Sequence, residues 1–411
     1  MNRLIHLFKK KIIKIIEILL WPFISLFVLY YLYKNNKIFN NKIIFLSWHW
    51  SFGHQSIMLD SCAKLFKKKI SLISILYSKR TNLYLSKIYH KYYDEKILIR
   101  SNHALICHFF YKSTLLILKI IIFFNKKNKL ITYDDIRNQQ IKESSLPIKF
   151  YNESKNIIEI HHDNLHWYDK LLNKKLDLSL PEDLSSECIN ILEKNNCFIK
   201  KKKIVNLFFR DYQNKNLEMS AKNYFDLLRM NYKPKNYIKA ILWLARKNYI
   251  IFIHCSNKIK DFDVIKHPNI FIVSNFRNII NPELLNIFLI TVGSIHISQN
   301  SGSVFPAFSL KKKVIICDMF PFSNGLSGKC SILFPKLLID KKLLNFEKYI
   351  NTDFFYGKGF DNVKNKILPN DEIDILKIVK NYNKKQFNRI KFNNDSGIYY
   401  RTRINNIFYY K

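Results

Sequence analysis

The chain has 411 residues, a formal net charge of +37, 48% hydrophobic and 15% aromatic residues, so it holds apolar material for more than one core, and its length exceeds what one core usually supports. That charge points to nucleic acid or an anionic membrane, but lysine is spread along the whole length and there are no zinc-ligand pairs, basic-region heptads or aromatic RNA-reading motifs, so nucleic acid is discounted as a partner and a solvated lysine-rich surface is expected. Seven cysteines (62, 107, 188, 197, 255, 317 and 330), odd in number and without CxxC spacing, exclude a disulfide framework and a structural zinc site and fit a reducing compartment.

Arg3, Lys9, Lys10 and Lys11 precede a nearly continuous apolar stretch from Ile12 to Tyr33, interrupted by Lys14 and Glu17 at a spacing that pairs them on one helix face. The clean run from Ile18 to Tyr33 spans roughly 24 Å as a helix, short of the roughly 30 Å hydrocarbon core. Pro22 adds a kink, and no small-residue cleavage site follows. Residues 1–33 therefore read as a hydrophobic anchor, with three arrangements open: a snorkelling span, a hairpin or surface helix, and a buried helix of the soluble fold. Lysines follow at 34, 37 and 42 as well, so charge bias gives no clean topology.

Residues 34–199 are expected to form a first α/β domain. Lys42 to Ser47 reads as a buried strand, Trp48 to His54 as a turn, Gln55 to Phe66 as a helix and Lys69 to Tyr77 as a second strand, which together open a βαβ series. Ser113 to Phe124 is strongly apolar but too short to span; it reads as a core helix or a second membrane-facing patch. Thr132 to Asp163 is polar and irregular, Asp183 to Lys194 helical, and the run Lys200–Lys203 marks the domain boundary.

Residues 200–385 read as a second α/β domain, followed by a basic tail over 386–411. Strands are expected at Ile204–Phe209, Tyr249–His254, Ile270–Val273, Ser294–Ser298 and Lys313–Cys317. Helices are expected at Lys235–Arg246, Pro282–Thr291, Val304–Leu310 and Asp371–Tyr382. The alternation predicts parallel sheets flanked by helices, with ligands at the C-terminal ends of the strands.

The polar turn after Ser294–Ser298, Gln299-Asn300-Ser301-Gly302-Ser303, is the strongest local signal. Only eight glycines occur in the chain, and Gly293, Gly302, Gly325 and Gly328 fall in this one region. A strand, then Ser-Gly-Ser, then a helix start presents free N–H groups to an anion. Arg210, at the end of Ile204–Phe209, offers a guanidinium fork for a phosphate; the bland alternative is a surface ion pair. Glu283 follows Pro282 at a helix start. His54 follows Gly53, and a near-neutral imidazole suits deprotonation of a hydroxyl, although packing at the helix start competes as an explanation. His161-His162-Asp163 with His166 reads as a solvated loop, Asp261 and Asp263 match a metal motif by letter only, and His296 reads as a satisfied core residue.

In order, Phe209-Arg210-Asp211, Tyr232-Lys233 before a helix, Pro282-Glu283, Ser301-Gly302 and Pro306 resemble the second half of a family of bacterial surface-polysaccharide glycosyltransferases, best over residues 204–325. Asn370-Asp371-Glu372 and Phe52-Gly53-His54 extend the resemblance loosely. It implies the GT-B fold, two Rossmann-like domains facing a central cleft. It further implies a nucleotide-sugar donor on the C-terminal domain, held by Arg210, Glu283, Asn300, Ser301, Gly302 and Ser303, with Arg210 neutralising the leaving group and His54 as base. The implied enzyme needs neither metal nor cofactor, accepts a glycan or lipid-linked acceptor in lipopolysaccharide or polysaccharide assembly, and works against an anionic membrane on the cytoplasmic face of the inner membrane. The chain departs from the family at Phe208, where a histidine is common, at Lys233 for arginine, at Ile253-His254-Cys255 where an arginine is usual, and at Asn300 for serine. Those losses leave an alternative reading, a non-catalytic membrane-associated scaffold of the same fold.

Overall fold

The computed structural model describes residues 21–136 (less 50, 67, 68 and 79), 138, 147–151, 157–161, 176–209 (less 201), 233–255, 262, 265–318 (less 300), 330–333, 336–339, 342–344, 366–381 and 406–408. The chain divides into two compact units, residues 1–138 with 176–179, and residues 139–175 with 180–411.

In the first unit a helix over residues 21–34 (α1) leads to β1 (Ile43–His49), α2 (Phe52–Leu65), β2 (Ile70–Tyr77), β3 (Tyr93–Ser101), α3 (Ala104–Phe124) and β4 (Lys129–Thr132). The four strands form one parallel sheet in the order β3-β2-β1-β4. β1 and β2 are apolar runs buried almost throughout, as a parallel strand covered on both faces requires. Ser51 caps α2 by accepting from the His54 N–H at 3.4 Å. Residues Ile44, Leu46, Ile73 and Ile75 share a core with Val28 and Leu32 of α1 and with Cys107, Ile117 and Leu118 of α3, so α1 and α3 cover the same face of the sheet.

Two expectations change here. α2 begins at Phe52, which puts His54 inside its first turn rather than in the turn before it. α3 begins nine residues before Ser113 and runs for 21 residues, and among the described residues it is the helix long and apolar enough to cross a membrane. His108, Lys112, Ser113 and Thr114 obscured that start; the last two are buried against the sheet.

The second unit is built on a seven-stranded sheet in the order β16-β12-β11-β10-β7-β8-β9, with every pairing parallel. Its elements are α4 (Glu182–Lys194), β7 (Ile204–Phe208), α5 (Ile238–Arg246), β8 (Ile250–His254), β9 (Ile270–Ile272), α6 (Pro282–Val292), β10 (Ile295–Ser298), α7 (Val304–Ser309), β11 (Lys313–Ile316), β12 (Cys330–Leu333), α8 (Glu372–Asn381) and β16 (Asn406–Phe408). A two-stranded hairpin, β5 (Pro147–Tyr151) with β6 (Ile157–His161), lies in the stretch expected to be irregular. A small antiparallel sheet holds β13 (Lys336–Ile339), β14 (Lys342–Leu344) and β15 (Lys366–Leu368). The segment expected as a tail contributes the edge strand β16.

Alternation sorts the central strands into two faces. Val205, Leu207, Ile251, Ile253, Ile295 and Ile297 pack with α5 and α8 in an aliphatic core. Asn206, Phe208, His254 and His296 alternate with those residues and point to the other face. Asn281 caps α6 through the N–H groups of Glu283 (2.9 Å) and Leu284 (3.3 Å), with Pro282 in the first turn.

Candidate functional site

In an open parallel sheet, ligands bind beyond the carboxyl ends of the strands where the strand order reverses, because there the two connecting helices leave in opposite directions and open a crevice. Both sheets have such a point. In the second unit, sequence order runs outward from β7 through β8 to β9 on one side, and through β10, β11 and β12 on the other, so the reversal lies between β7 and β10. Their last residues, Phe208 and Ser298, are paired.

The turn singled out in the sequence leaves β10 at this reversal. The Ser298 and Ser301 hydroxyls are 2.9 Å apart, Ser301 and Ser303 2.7 Å, and Ser298 and Ser303 3.3 Å. Each hydroxyl carries one donor that rotates freely, so the triangle satisfies itself when empty and can turn its donors outward to an anion. The helix behind it is shorter than expected. α7 has six residues, and Ser303 makes no side-chain cap to it. With fewer than two turns of aligned peptides the helix field is weak, so the groups available to meet an anion here are the hydroxyls and the turn.

A second cluster stands at the ends of β10 and β11. Asp318 follows β11 in the left-handed region at φ 52°. Its N–H donates to the Asn370 side-chain oxygen at 2.7 Å, and its carboxylate accepts the Asn370 N–H at 2.6 Å and the Tyr237 hydroxyl at 3.1 Å. Burial pushes the Asp318 carboxyl up to about 7, against the hydrogen bonds from Asn370 and Tyr237. Burial, and then Asp318, raise the Tyr237 phenol. Neither Asp318 nor Asn370 was found from sequence as a paired group. The available signal was an apolar strand ending in a polar residue, Ile315-Ile316-Cys317-Asp318, the pattern already used at Ser298.

The raised carboxyl has a testable consequence. The folded state binds a proton that the unfolded state has released, so Asp318 stabilises the unit below about pH 4 and that contribution is lost as pH rises through about 7. Asp318→Asn keeps the acceptor oxygen and removes the titration. Its midpoint of urea unfolding should gain on the parent between pH 5 and pH 8; equal gains at both pH values would show that the carboxyl does not titrate there.

The remaining donor-side residues are dispersed along the same edge. Glu283 lies in the first turn of α6, which connects two parallel strands and so begins at their C-terminal edge. Arg210 and Asn300 lie outside the described residues, as do Asp261, Asp263, His162, Asp163 and His166. Where an arginine was expected at the end of β8, the chain has His254-Cys255, and the Arg277 guanidinium donates to the Cys255 carbonyl at 3.1 Å. A cation therefore reaches that strand end from the loop after β9.

In the first unit the order reverses between β1 and β4. His49 ends β1, His54 stands in the first turn of α2, and Tyr133 follows β4; the His54 ring is 4.7 Å from Tyr133 and 6.0 Å from His49. Asp135 fixes the end of β4 by accepting from the Thr132 N–H and hydroxyl, each at 2.7 Å. Gln55 and the Asn82 backbone exchange two bonds of 2.8 and 2.9 Å. Burial, and then the neighbouring His54, hold His49 well below the ordinary histidine range, which keeps it neutral. His54 is half-buried as a residue, with both ring nitrogens buried from solvent.

Beneath the second site lies a buried stack that sequence reading missed. Phe208 stacks on His254 at 3.8 Å and on His296 at 4.5 Å. His254 places Nε2 3.0 Å from the Asn206 oxygen and Nδ1 3.0 Å from the Asn286 amide, while the Asn206 nitrogen donates to the Leu289 carbonyl at 2.6 Å. His296 was expected to be a satisfied core residue. It is in the core, but among the described residues neither ring nitrogen has a hydrogen-bond partner.

No protein-family model and no curated protein matches the chain. Similar solved structures include a glycosyl transferase of family 9 from Veillonella parvula, 10% identical, covering 71% of this chain and 86% of that one with a TM-score of 0.45. The Escherichia coli ADP-heptose lipopolysaccharide heptosyltransferase II is 10% identical, covers 67% and 84%, and has a TM-score of 0.37. A UDP-N-acetylglucosamine 2-epimerase is 10% identical, covers 70% and 82%, and has a TM-score of 0.34.

Proposed function

We propose that the protein is a nucleotide-sugar-dependent glycosyltransferase of GT-B type. The observation that carries this reading is that one chain holds two Rossmann-ordered parallel sheets, with the Ser301–Ser303 turn leaving β10 at the order reversal of one and His54 near the reversal of the other. The Ser301-Gly302-Ser303 turn, with the triangle of hydroxyls around Ser298, is the seat for the donor diphosphate. Arg210 and Asn300 complete it by their place in the sequence, Arg210 offsetting charge on the departing nucleoside diphosphate. Glu283 assists donor recognition, and His54 takes the proton from the acceptor hydroxyl. The acceptor is a glycan or lipid-linked saccharide of lipopolysaccharide or surface-polysaccharide assembly, reached on the cytoplasmic face of the inner membrane. No metal or cofactor is assigned a role.

The test is release of nucleoside diphosphate from a panel of nucleotide sugars in the presence of lipid extract. Ser301→Ala and Arg210→Ala should weaken donor binding by about tenfold or more each, because each removes donors to phosphate, whereas His54→Ala should leave donor binding unchanged and reduce turnover by about a hundredfold or more. Donor binding without turnover under any acceptor would favour the scaffold reading. No binding of any nucleotide sugar would likewise favour the scaffold over the enzyme.

A further inference from the structure

We propose that α1 and α3 together form a docking face that lies flat on an anionic lipid leaflet, sunk to about the depth of its side chains and not crossing the bilayer. It rests on the surface of the first unit and not on the sugar-site reading.

α1 and α3 sit side by side on one face of the four-stranded sheet, with Phe27 of α1 edge-on to Phe110 of α3 at 5.7 Å. Their inner stripes are core. Their outer stripes are apolar too. On α1, Phe23, Leu26, Phe27, Tyr30 and Tyr33 are 50–80% exposed, at the spacing of one helix face. On α3, Leu116, Ile120, Phe123 and Phe124 are 46–80% exposed, again as one stripe. A water-facing stripe of a surface helix is ordinarily polar, and two adjacent apolar ones make a patch that water disfavours.

The rim says what covers it. Residues 21–42 and 104–130 contain no Asp or Glu, while Lys34, Lys37, Lys119, Lys126 and Lys127 are exposed there. Aromatic and aliphatic side chains flanked along both helices by lysine match an anionic interface, where the rings enter the headgroup boundary and the ammonium groups meet lipid phosphates. A second copy of the chain is a poorer occupant, since a two-fold contact would set lysine against lysine. Spanning is disfavoured by the other side of α3. Although its length and hydropathy would suffice, Cys107, Ser113, Thr114, Ile117 and Leu118 are buried in the fold. Crossing would strip α3 from the sheet.

The experiment is flotation of the full-length protein with vesicles of phosphatidylethanolamine alone or with phosphatidylglycerol, comparing the parent with Ile120→Gln/Phe123→Gln/Phe124→Gln. These side chains are exposed, so the variant should keep the parent's unfolding midpoint. The parent should float with the phosphatidylglycerol vesicles and lose binding in high salt. The triple variant should bind at least about tenfold more weakly, each phenylalanine alone being able to account for that factor on leaving lipid. Equal flotation of parent and variant would overturn the proposal, as would equal binding to both vesicle types or a dimer in solution that the triple variant abolishes. Sugar transfer to a soluble acceptor should not change in the variant, which separates failure of this face from failure of the enzymatic reading.

Discussion

Acidification from pH 6.5 towards 3 is expected to destabilise the second unit by about 6 kcal/mol, with His254 and His296 as the cause. Burial lowers both to about 3, His254 against its bond to Asn286, and His296 with further help from His254. The unfolded chain binds protons at these positions below about 6.5 and the folded one does not. Their contribution is therefore complete above 6.5 and is lost as pH falls towards 3. Each group contributes a slope of about 1.4 kcal/mol per pH unit inside that window. Asp318 works in the opposite direction between about 4 and 7, so two histidines against one carboxyl leave a net slope of about one group until Asp318 stops titrating. Below about pH 4 both histidines act unopposed at about 2.7 kcal/mol per unit, so by pH 3 the loss totals about 6 kcal/mol, enough to unfold a unit at the lower end of ordinary stability, about 5–15 kcal/mol. His296→Leu removes two ring nitrogens that have no partner among the described residues. It should be no less stable than the parent at pH 7.5 and should lose one group's share of the acid slope. Urea midpoints at half-unit intervals from pH 7.5 to 3.5 measure both. A variant profile parallel to the parent's would refute the assignment of the slope to His296.

The same residues show what a reader of the sequence can and cannot see. Central strands were legible because parallel strands covered on both faces must be apolar almost throughout, as Ile43–His49, Ile70–Tyr77 and Ile250–His254 are. α6 was legible from Pro282, since proline at a first turn loses no hydrogen bond. β3 was not, because its first half, Tyr-Asp-Glu-Lys, looks like a charged loop and only pairing with β2 makes it a strand. The serine turn was found because glycine is scarce in this chain. Asp318, Tyr237 and Asn370 were missed because their bonds join positions 52 and 81 residues apart, and nothing in a local pattern announces such a pair. The His254–Phe208–His296 stack was missed for the same reason. It is formed by three neighbouring strands that come from three separate parts of the chain.

Gly293→Ala is expected to cost about 3–5 kcal/mol, an unusual penalty for adding one methyl group at the end of a helix. Backbone freedom is not the reason, since Gly293 has φ −60° and ψ 137°, which alanine also adopts. Space is the reason. A Cβ there would stand 2.3 Å from the Asn206 side-chain nitrogen and 3.0 Å from the Leu289 carbonyl oxygen. The amide cannot swing away without loss, because its nitrogen donates to Leu289 and its oxygen meets His254 Nε2. A neutral imidazole donates from one nitrogen only. His254 has an amide oxygen 3.0 Å from each ring nitrogen, Asn206 at Nε2 and Asn286 at Nδ1, and Asn206 also commits its nitrogen to Leu289. Displacing Asn206 thus breaks its contacts with both Leu289 and His254, in addition to the overpacking. Leu289 loses less, because its carbonyl also accepts the Gly293 N–H at 2.9 Å. The two contributions separate in a double-mutant cycle with Asn206→Ala, which itself should destabilise by about 2–3 kcal/mol through the lost bonds to Leu289 and His254. In that background the methyl group meets no amide, so adding Gly293→Ala should cost less than about 1 kcal/mol. Strictly additive penalties in urea unfolding would mean that the glycine is required for something other than the place Asn206 occupies.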